Sequence, residues 1–322
     1  MVDRRSPLLG SLTVVVGACL FAMLGVLSRT AYDMGLTPYA FVTWRSGVAA
    51  IAMAVLVFVT LRQGGRLVGW RSLSRRDRVA LGVAALMGAS LDVTMFLAFA
   101  RVPVAIVLLC FYLFPAMVAI GSALLGWERL DRNRVVALVI ALAGMVAVVI
   151  GGQAAGGLGA LDPIGVLLAI GSAVSQAVFV LVARRGYQQV PTEQVMTVVL
   201  TVSASIATLL AIAGGALASV WLPLSSPSLL GLLLFTGIVA AGIPSFLFLA
   251  GIRSIGGVKA GILMLAQAPV GVALAAIFLD ESIGAVQIVG GIAILAAAVI
   301  IQRAASPGGD ASVAPVGADL TA

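Results

Sequence analysis

The chain has 322 residues, of which 62% are hydrophobic and only 10% charged. Soluble domains carry about 25% charged residues, so no soluble fold could hide this much apolar surface and the bilayer must be the main solvent. The net charge of +7 arises from 19 Lys+Arg against 12 Asp+Glu; no basic–aromatic interleaving accompanies it, so it records membrane orientation rather than a nucleic-acid groove. Histidine is absent, which removes the commonest general base and metal ligand. Cys19 and Cys110 both lie in apolar runs, where small core residues are expected rather than a disulfide. No metal or other cofactor is expected.

Taken in order, the start MVDRRSPLLG is positive, as in a signal peptide. The apolar run after it continues to about Thr30 without a small-x-small cleavage site, so it reads as a retained first span. A spanning helix needs roughly 20 mostly apolar residues. Ten such runs follow one another: 8–30, 38–61, 79–100, 103–126, 135–152, 163–184, 193–218, 228–251, 258–280 and 284–302. Turn signals separate them, among them Gly35, Pro38, Gly64-Gly65, Pro103, Asp162-Pro163, Pro191, Pro223, Pro227 and Gly256-Gly257. With the N-terminus inside, 16 of the 19 positive charges fall on inner segments; only Arg29 and Arg101 are outside, and Arg45 lies within a span. That segregation fits ten spans with both termini cytoplasmic.

Residues 96–128 are echoed by residues 248–281. Both copies open on Phe-Leu-Ala, are interrupted by a proline, Pro115 or Pro269, and close on Glu128 or Glu281. Five spans separate the copies, an odd number, so they run in opposite directions through the bilayer. The expected fold is all-α integral membrane, ten transmembrane helices in two inverted five-helix repeats, the arrangement from which many secondary transporters build two gates. The first repeat covers 1–155, the second 156–305, and 306–322 is a disordered cytoplasmic tail, low in bulky apolar residues. The segment 62–78, RQGGRLVGWRSLSRRDR, holds six arginines. It reads either as an interfacial element on anionic lipid or as a solvated loop that sets topology.

Three stretches carry a family resemblance: TPYAFVTWRSGVAA at the start of span two, ARVPVAIVLLCFYLFPAMVAIGSALLGWERL in span four, and GIRSIGGVKAGILMLAQAPVGVALAAIFLDE in span nine. With these the chain resembles the drug/metabolite transporter superfamily, in particular its EamA-type ten-span members, over roughly residues 8–303. The resemblance implies two inverted five-helix repeats carrying small metabolites, such as amino acids, across the bacterial cytoplasmic (inner) membrane. Phe114 and Ala268 precede the two prolines where many relatives have glutamate.

Two charges lie inside spans. Arg45 is seven residues beyond Pro38 and Asp92 eight before Ala100, so both sit about 10–12 Å below the outer surface at 1.5 Å of rise per residue. Either one alone in lipid costs about 2.5–3.5 kcal/mol, and a pair between them is expected. Its role has two readings: Asp92 as a proton site or Arg45 as a clamp on a substrate carboxylate, or a structural bridge. Tyr112 and Gln267 stand beside the helix-breaking Pro115 and Pro269, where an opened helix exposes carbonyls; they read as pocket groups or as interhelical hydrogen bonds. Gln176 in span six is similar. Trp44 reads as a belt residue or a stacking platform, and Glu128 and Glu281 as helix-end charges. Gly257 and Gly261 are spaced for packing against another span.

The expected function is a secondary transporter, an exporter of small metabolites such as amino acids working by alternating access, with the lipid bilayer and a small molecule as its partners. No GxxxxGK[ST] loop is present, so ATP is not hydrolysed by this chain. An intramembrane enzyme would need a histidine, a GxSxG serine, a metal cluster or paired intramembrane aspartates. A lipid or nucleotide-sugar carrier on the same fold would favour several cavity cations, and Arg45 stands by itself.

Overall fold

Among the described residues, each of the ten apolar runs is largely helical and there is no strand. The computed structural model describes residues 7–102, 104–127, 131–151, 162–279 and 284–303. In chain order the helices are α1 (Pro7–Phe21), α2 (Leu24–Asp33), α3 (Pro38–Arg62), α4 (Arg75–Phe99), α5 (Val104–Phe111), α6 (Phe114–Leu124), α7 (Arg132–Gly151), α8 (Pro163–Arg185), α9 (Thr192–Ala213), α10 (Leu217–Trp221), α11 (Pro227–Phe235), α12 (Ile243–Ile255), α13 (Gly257–Met264), α14 (Gln267–Leu279) and α15 (Ala285–Arg303). Among the described residues, seven helical units are long and apolar enough to cross a membrane: Leu8–Asp33, Pro38–Arg62, Arg75–Phe99, Ile106–Leu124, Pro163–Arg185, Thr192–Ala213 and Pro227–Ile255. Ala285–Ile301 is a shorter apolar helix. The division near residue 155, the tail, Glu128 and Glu281 lie outside the described residues.

Helix starts follow local chemistry. Thr37 caps α3 by accepting from the Ala40 amide, with Pro38 at the first turn, where its missing N–H is not needed. Ser74 caps α4, and Asp77 in that first turn suits the positive end of the helix dipole. This cap starts α4 at Arg75, four residues before the apolar run at 79. Hydrophobicity marks the part of a helix that crosses lipid, whereas a cap marks where it begins.

Among the described residues, four spans are interrupted. In span four the chain turns at Tyr112–Leu113, just ahead of Pro115, and in span nine at Leu265–Ala266, ahead of Pro269. Proline has no N–H to give and its ring crowds the preceding turn, so each break falls on its N-terminal side. In span eight a π-helical segment, Thr236–Gly242, joins α11 to α12 directly before Pro244. Proline again removes a hydrogen bond there, and the ladder widens instead of breaking. The first span also turns, at Ala22–Met23, with no proline nearby.

The four most extensive helix pairings all join the first half, α1–α7, to the second, α8–α15: α7 with α15, α3 with α9, α4 with α8, and α1 with α12; α6 also packs on α13. The pairing is unchanged when each span is exchanged for the one in the same place in the other half. Spans two, four and five each meet their own counterpart, and the three–six pair becomes the eight–one pair. Small residues permit the approach. A Cβ on Gly290 would lie 2.5 Å from the Gly144 carbonyl oxygen, and one on Gly144 2.7 Å from that of Gly290. Gly257 and Gly261 likewise seat α13: a Cβ on Gly261 would lie 3.3 Å from Pro115, so it packs within the chain against the span-four break.

Gly290→Ala is therefore expected to push α7 from α15 and destabilise the protein by about 1–3 kcal/mol. Gly231→Ala, where a Cβ would meet nothing within 4 Å, is expected to be neutral or slightly stabilising, since alanine favours helix over glycine. Thermal unfolding of the two variants in detergent checks the contrast.

Candidate functional site

Helices α3, α4 and α9 converge on a polar cluster in otherwise apolar packing. The Arg45 Nη2 pairs with Asp92 Oδ1, and the two side chains are 4% and 14% exposed. Asp92 Oδ2 accepts from the Ser203 hydroxyl at 2.5 Å and the Ser46 hydroxyl at 3.3 Å. Arg45 also lies over the Phe96 ring at 5.2 Å, and Phe96 packs against Phe41 at 5.0 Å, so the cation rests on an aromatic face. One further element abuts it. A Cβ on Gly237, inside the π-helical segment, would lie 3.1 Å from the Arg45 carbonyl oxygen. Removing both charges from water costs several kcal/mol each, and only good geometry with extra hydrogen bonds offsets that. The two serine hydroxyls supply those bonds, one from each half of the chain.

The remaining sequence-derived residues are placed apart from this cluster. Trp44 donates its indole N–H to the Val220 carbonyl at 2.8 Å, tying α3 to α10. Gln176 is buried in α8 beside Ser175, whose hydroxyl lies 2.9 Å from that of Ser90 on α4. Tyr112 is buried at the span-four break, and its hydroxyl has no partner. Gln267 begins α14, half-buried, immediately after the span-nine break. Among the described residues, no hydrogen bond or ion pair links Tyr112, Gln176 or Gln267 to the Arg45–Asp92 pair. Ser46, Ser203 and the π-helical segment were not evident from sequence. A serine in an apolar span carries no signal until its helix neighbours are known, although Pro244 in span eight marked a possible irregularity.

Both ends of the molecule carry polar contacts between the halves. At the arginine-rich end, Asp77 accepts from the Tyr187 amide at 3.0 Å and from Gln189 Nε2 at 2.8 Å, besides the Ser74 hydroxyl at 2.7 Å. Tyr187 is fully buried in a left-handed conformation with φ of 43°, a strained geometry for an aromatic residue. Burial pushes its phenol up, so it stays neutral. Arg253 braces the same loop, donating to the carbonyls of Val190 at 2.9 Å and Tyr187 at 3.2 Å. Val68 and Gln194 exchange two hydrogen bonds, of 3.1 and 2.7 Å. At the opposite end Arg101 meets Asp162 at 2.9 Å, and the Thr37 amide donates to Ser219 at 2.9 Å. The Arg101 hydrogen bond, then the Ile164 amide, holds the Asp162 carboxyl below its ordinary range. A lowered carboxyl keeps its ionised contacts above that ordinary range and loses them only as pH falls through the lowered value.

Asp92→Asn is expected to cost about 3–5 kcal/mol of stability by leaving Arg45 buried without a counter-ion. The double variant Arg45→Gln, Asp92→Asn should regain most of it, and chemical denaturation of the single and double variants reads the coupling directly. Asp77→Ala is expected to raise hydrogen exchange at the Tyr187 amide at least about ten-fold, with amides in the middle of α3 and α9 unchanged.

A search of curated proteins finds no match. Among solved structures, one titled only "Crystal structure of protein" aligns with a TM-score of 0.73 at 22% sequence identity, covering 92% of this chain and 99% of that one; that likeness shows the fold. The family model of the EamA-like transporter family matches twice, over residues 8–150 and 163–303. Those two matches fall on the two halves whose helices pair across the structure. The chain belongs to the EamA-like transporter family, within the drug/metabolite transporter superfamily.

Proposed function

We propose that this protein is a secondary transporter that exports small metabolites, amino acids among them, across the bacterial cytoplasmic membrane. Ten spans in two inverted halves, with both termini cytoplasmic, move by alternating access. The observation that carries the reading is the buried Arg45–Asp92 pair, held by Ser46 from one half and Ser203 from the other. Charges are rarely kept inside a membrane protein unless they do work there. This pair sits where relative motion of the halves would change its partners.

Two further features support the motion. Polar contacts between the halves occur at both ends, so each end has bonds to make and break as it closes and opens. The irregular segments in spans four, eight and nine are the places where a helix bends at least cost. With no phosphate loop in the sequence, the driving force is a gradient of solute or protons. Asp92 is the residue assigned to proton coupling, with Arg45 as its ion-pair partner.

Purified protein in liposomes, assayed with a panel of amino acids with and without a pH gradient, tests the reading. Efflux or exchange above protein-free liposomes is expected for at least one amino acid. Asp92→Asn should abolish its response to the pH gradient. Equal flux and pH response in wild type and Asp92→Asn would remove Asp92 from the mechanism, and no flux across the whole panel would contradict amino-acid transport.

A further inference from the structure

Arg45 has a second unmet demand beside the one Asp92 satisfies. Among the described residues its Nε is buried without a hydrogen-bond partner, and so is the hydroxyl of Tyr32. The two belong to one neighbourhood. Tyr32, on α2, packs edge-on against Phe41 with ring centroids 5.7 Å apart. Phe41 lies one turn before Arg45 on α3, on the same face of the helix. Phe41 in turn packs on Phe96 at 5.0 Å, and the Arg45 guanidinium rests on Phe96 at 5.2 Å. Tyr32 and Arg45 thus flank one pair of rings, and those rings, fully enclosed, fix where both donors stand.

A guanidinium has donors only, and a phenol can donate to the same neighbour. Buried donors without an acceptor are costly to leave unmade, and here two flank the same pair of rings. The chemistry that satisfies both is an oxyanion. A carboxylate offers two acceptor oxygens, one for each donor. Asp92 is held at Nη2, and Nε is the donor left for an incoming carboxylate. We propose that Tyr32 and Arg45 form a carboxylate-binding site in which the phenol and Nε donate to one carboxylate of the transported molecule. The site is closed to solvent in this state, so the ligand enters when the halves part. This assignment rests on the transporter reading above and adds to it the recognised group and Tyr32, which acts as a specificity-determining residue.

The test uses full-length protein in detergent with three probes of one shape: leucine, 4-methylpentanoate, which keeps the carboxylate and lacks the ammonium, and leucinamide, which lacks the carboxylate. Thermal unfolding followed against probe concentration is expected to show stabilisation by leucine and 4-methylpentanoate but not by leucinamide. Tyr32→Phe should fold normally and weaken the apparent affinity for both carboxylates about ten-fold, the loss of one hydrogen bond to a charged group. Arg45→Lys, which keeps a cation opposite Asp92 but has no Nε, should weaken it at least as much. Stabilisation by leucinamide equal to that by leucine, no stabilisation by either carboxylate, or unchanged affinity in Tyr32→Phe would each overturn the assignment. Flux assays on the same three probes separate the two readings. Flux of leucinamide equal to that of leucine leaves the transporter standing without its carboxylate site. Carboxylate binding that depends on Tyr32, without flux, leaves the site standing without transport.

Discussion

A carboxylate largely enclosed among apolar helices cannot be left to itself, and Asp92 is satisfied by drawing on three helices at once. Arg45 and Ser46 come from α3 and Ser203 from α9. Asp92 itself holds α4 in that junction. Displacing α9 relative to α3 and α4 strips a hydroxyl from a buried anion, and leaving such a group unsatisfied costs about 1–3 kcal/mol or more. That range suits a two-state element. It is large enough to define a resting arrangement and small enough for a bound solute or proton to offset.

The same division into halves organises the rest of the molecule. Glycine-lined contacts such as Gly144 with Gly290 let paired helices approach to backbone distance, and lipid provides no hydrophobic drive to do this without close packing. Polar contacts between the halves also occur at both ends, Asp77 with the 187–189 loop at one and Arg101 with Asp162 at the other. A middle joined by a buried charge and two ends joined by breakable hydrogen bonds is the mechanical layout that alternating access requires. The strained Tyr187 backbone and the π-helical turn at 236–242 lie in second-half segments bonded or packed against α4 and α3, where such motion would concentrate.

Much of this was legible before any coordinates. Apolar runs of spanning length locate the helices, because lipid forces every backbone polar group to be satisfied within its own segment. The prolines at 115 and 269 locate two of the breaks, since a missing N–H acts locally. The ion pair followed from two charges at matched depth on consecutive spans, an argument from cost alone. What stayed hidden depends on contacts remote in sequence. Ser203 is one serine among several in its span and gains meaning only beside Asp92, 111 residues away. Tyr32 carries no signal in the sequence and gains meaning only from its buried hydroxyl, which lacks a partner among the described residues. The start of α4 lies four residues before its apolar run because a polar cap, not hydropathy, sets it.

The central claim is that the two ends open in alternation about the Asp92 junction. Spin labels at Ser72 and Gln188 report the arginine-rich end, and labels at Met34 and Ser225 report the opposite end. Pulsed electron-paramagnetic-resonance distances in liposomes, measured for both pairs with and without leucine, test the claim most directly. Alternating access predicts two populations at each end, with the distance lengthening at one as it shortens at the other. A single unchanging distance at both ends, whatever is added, would contradict it.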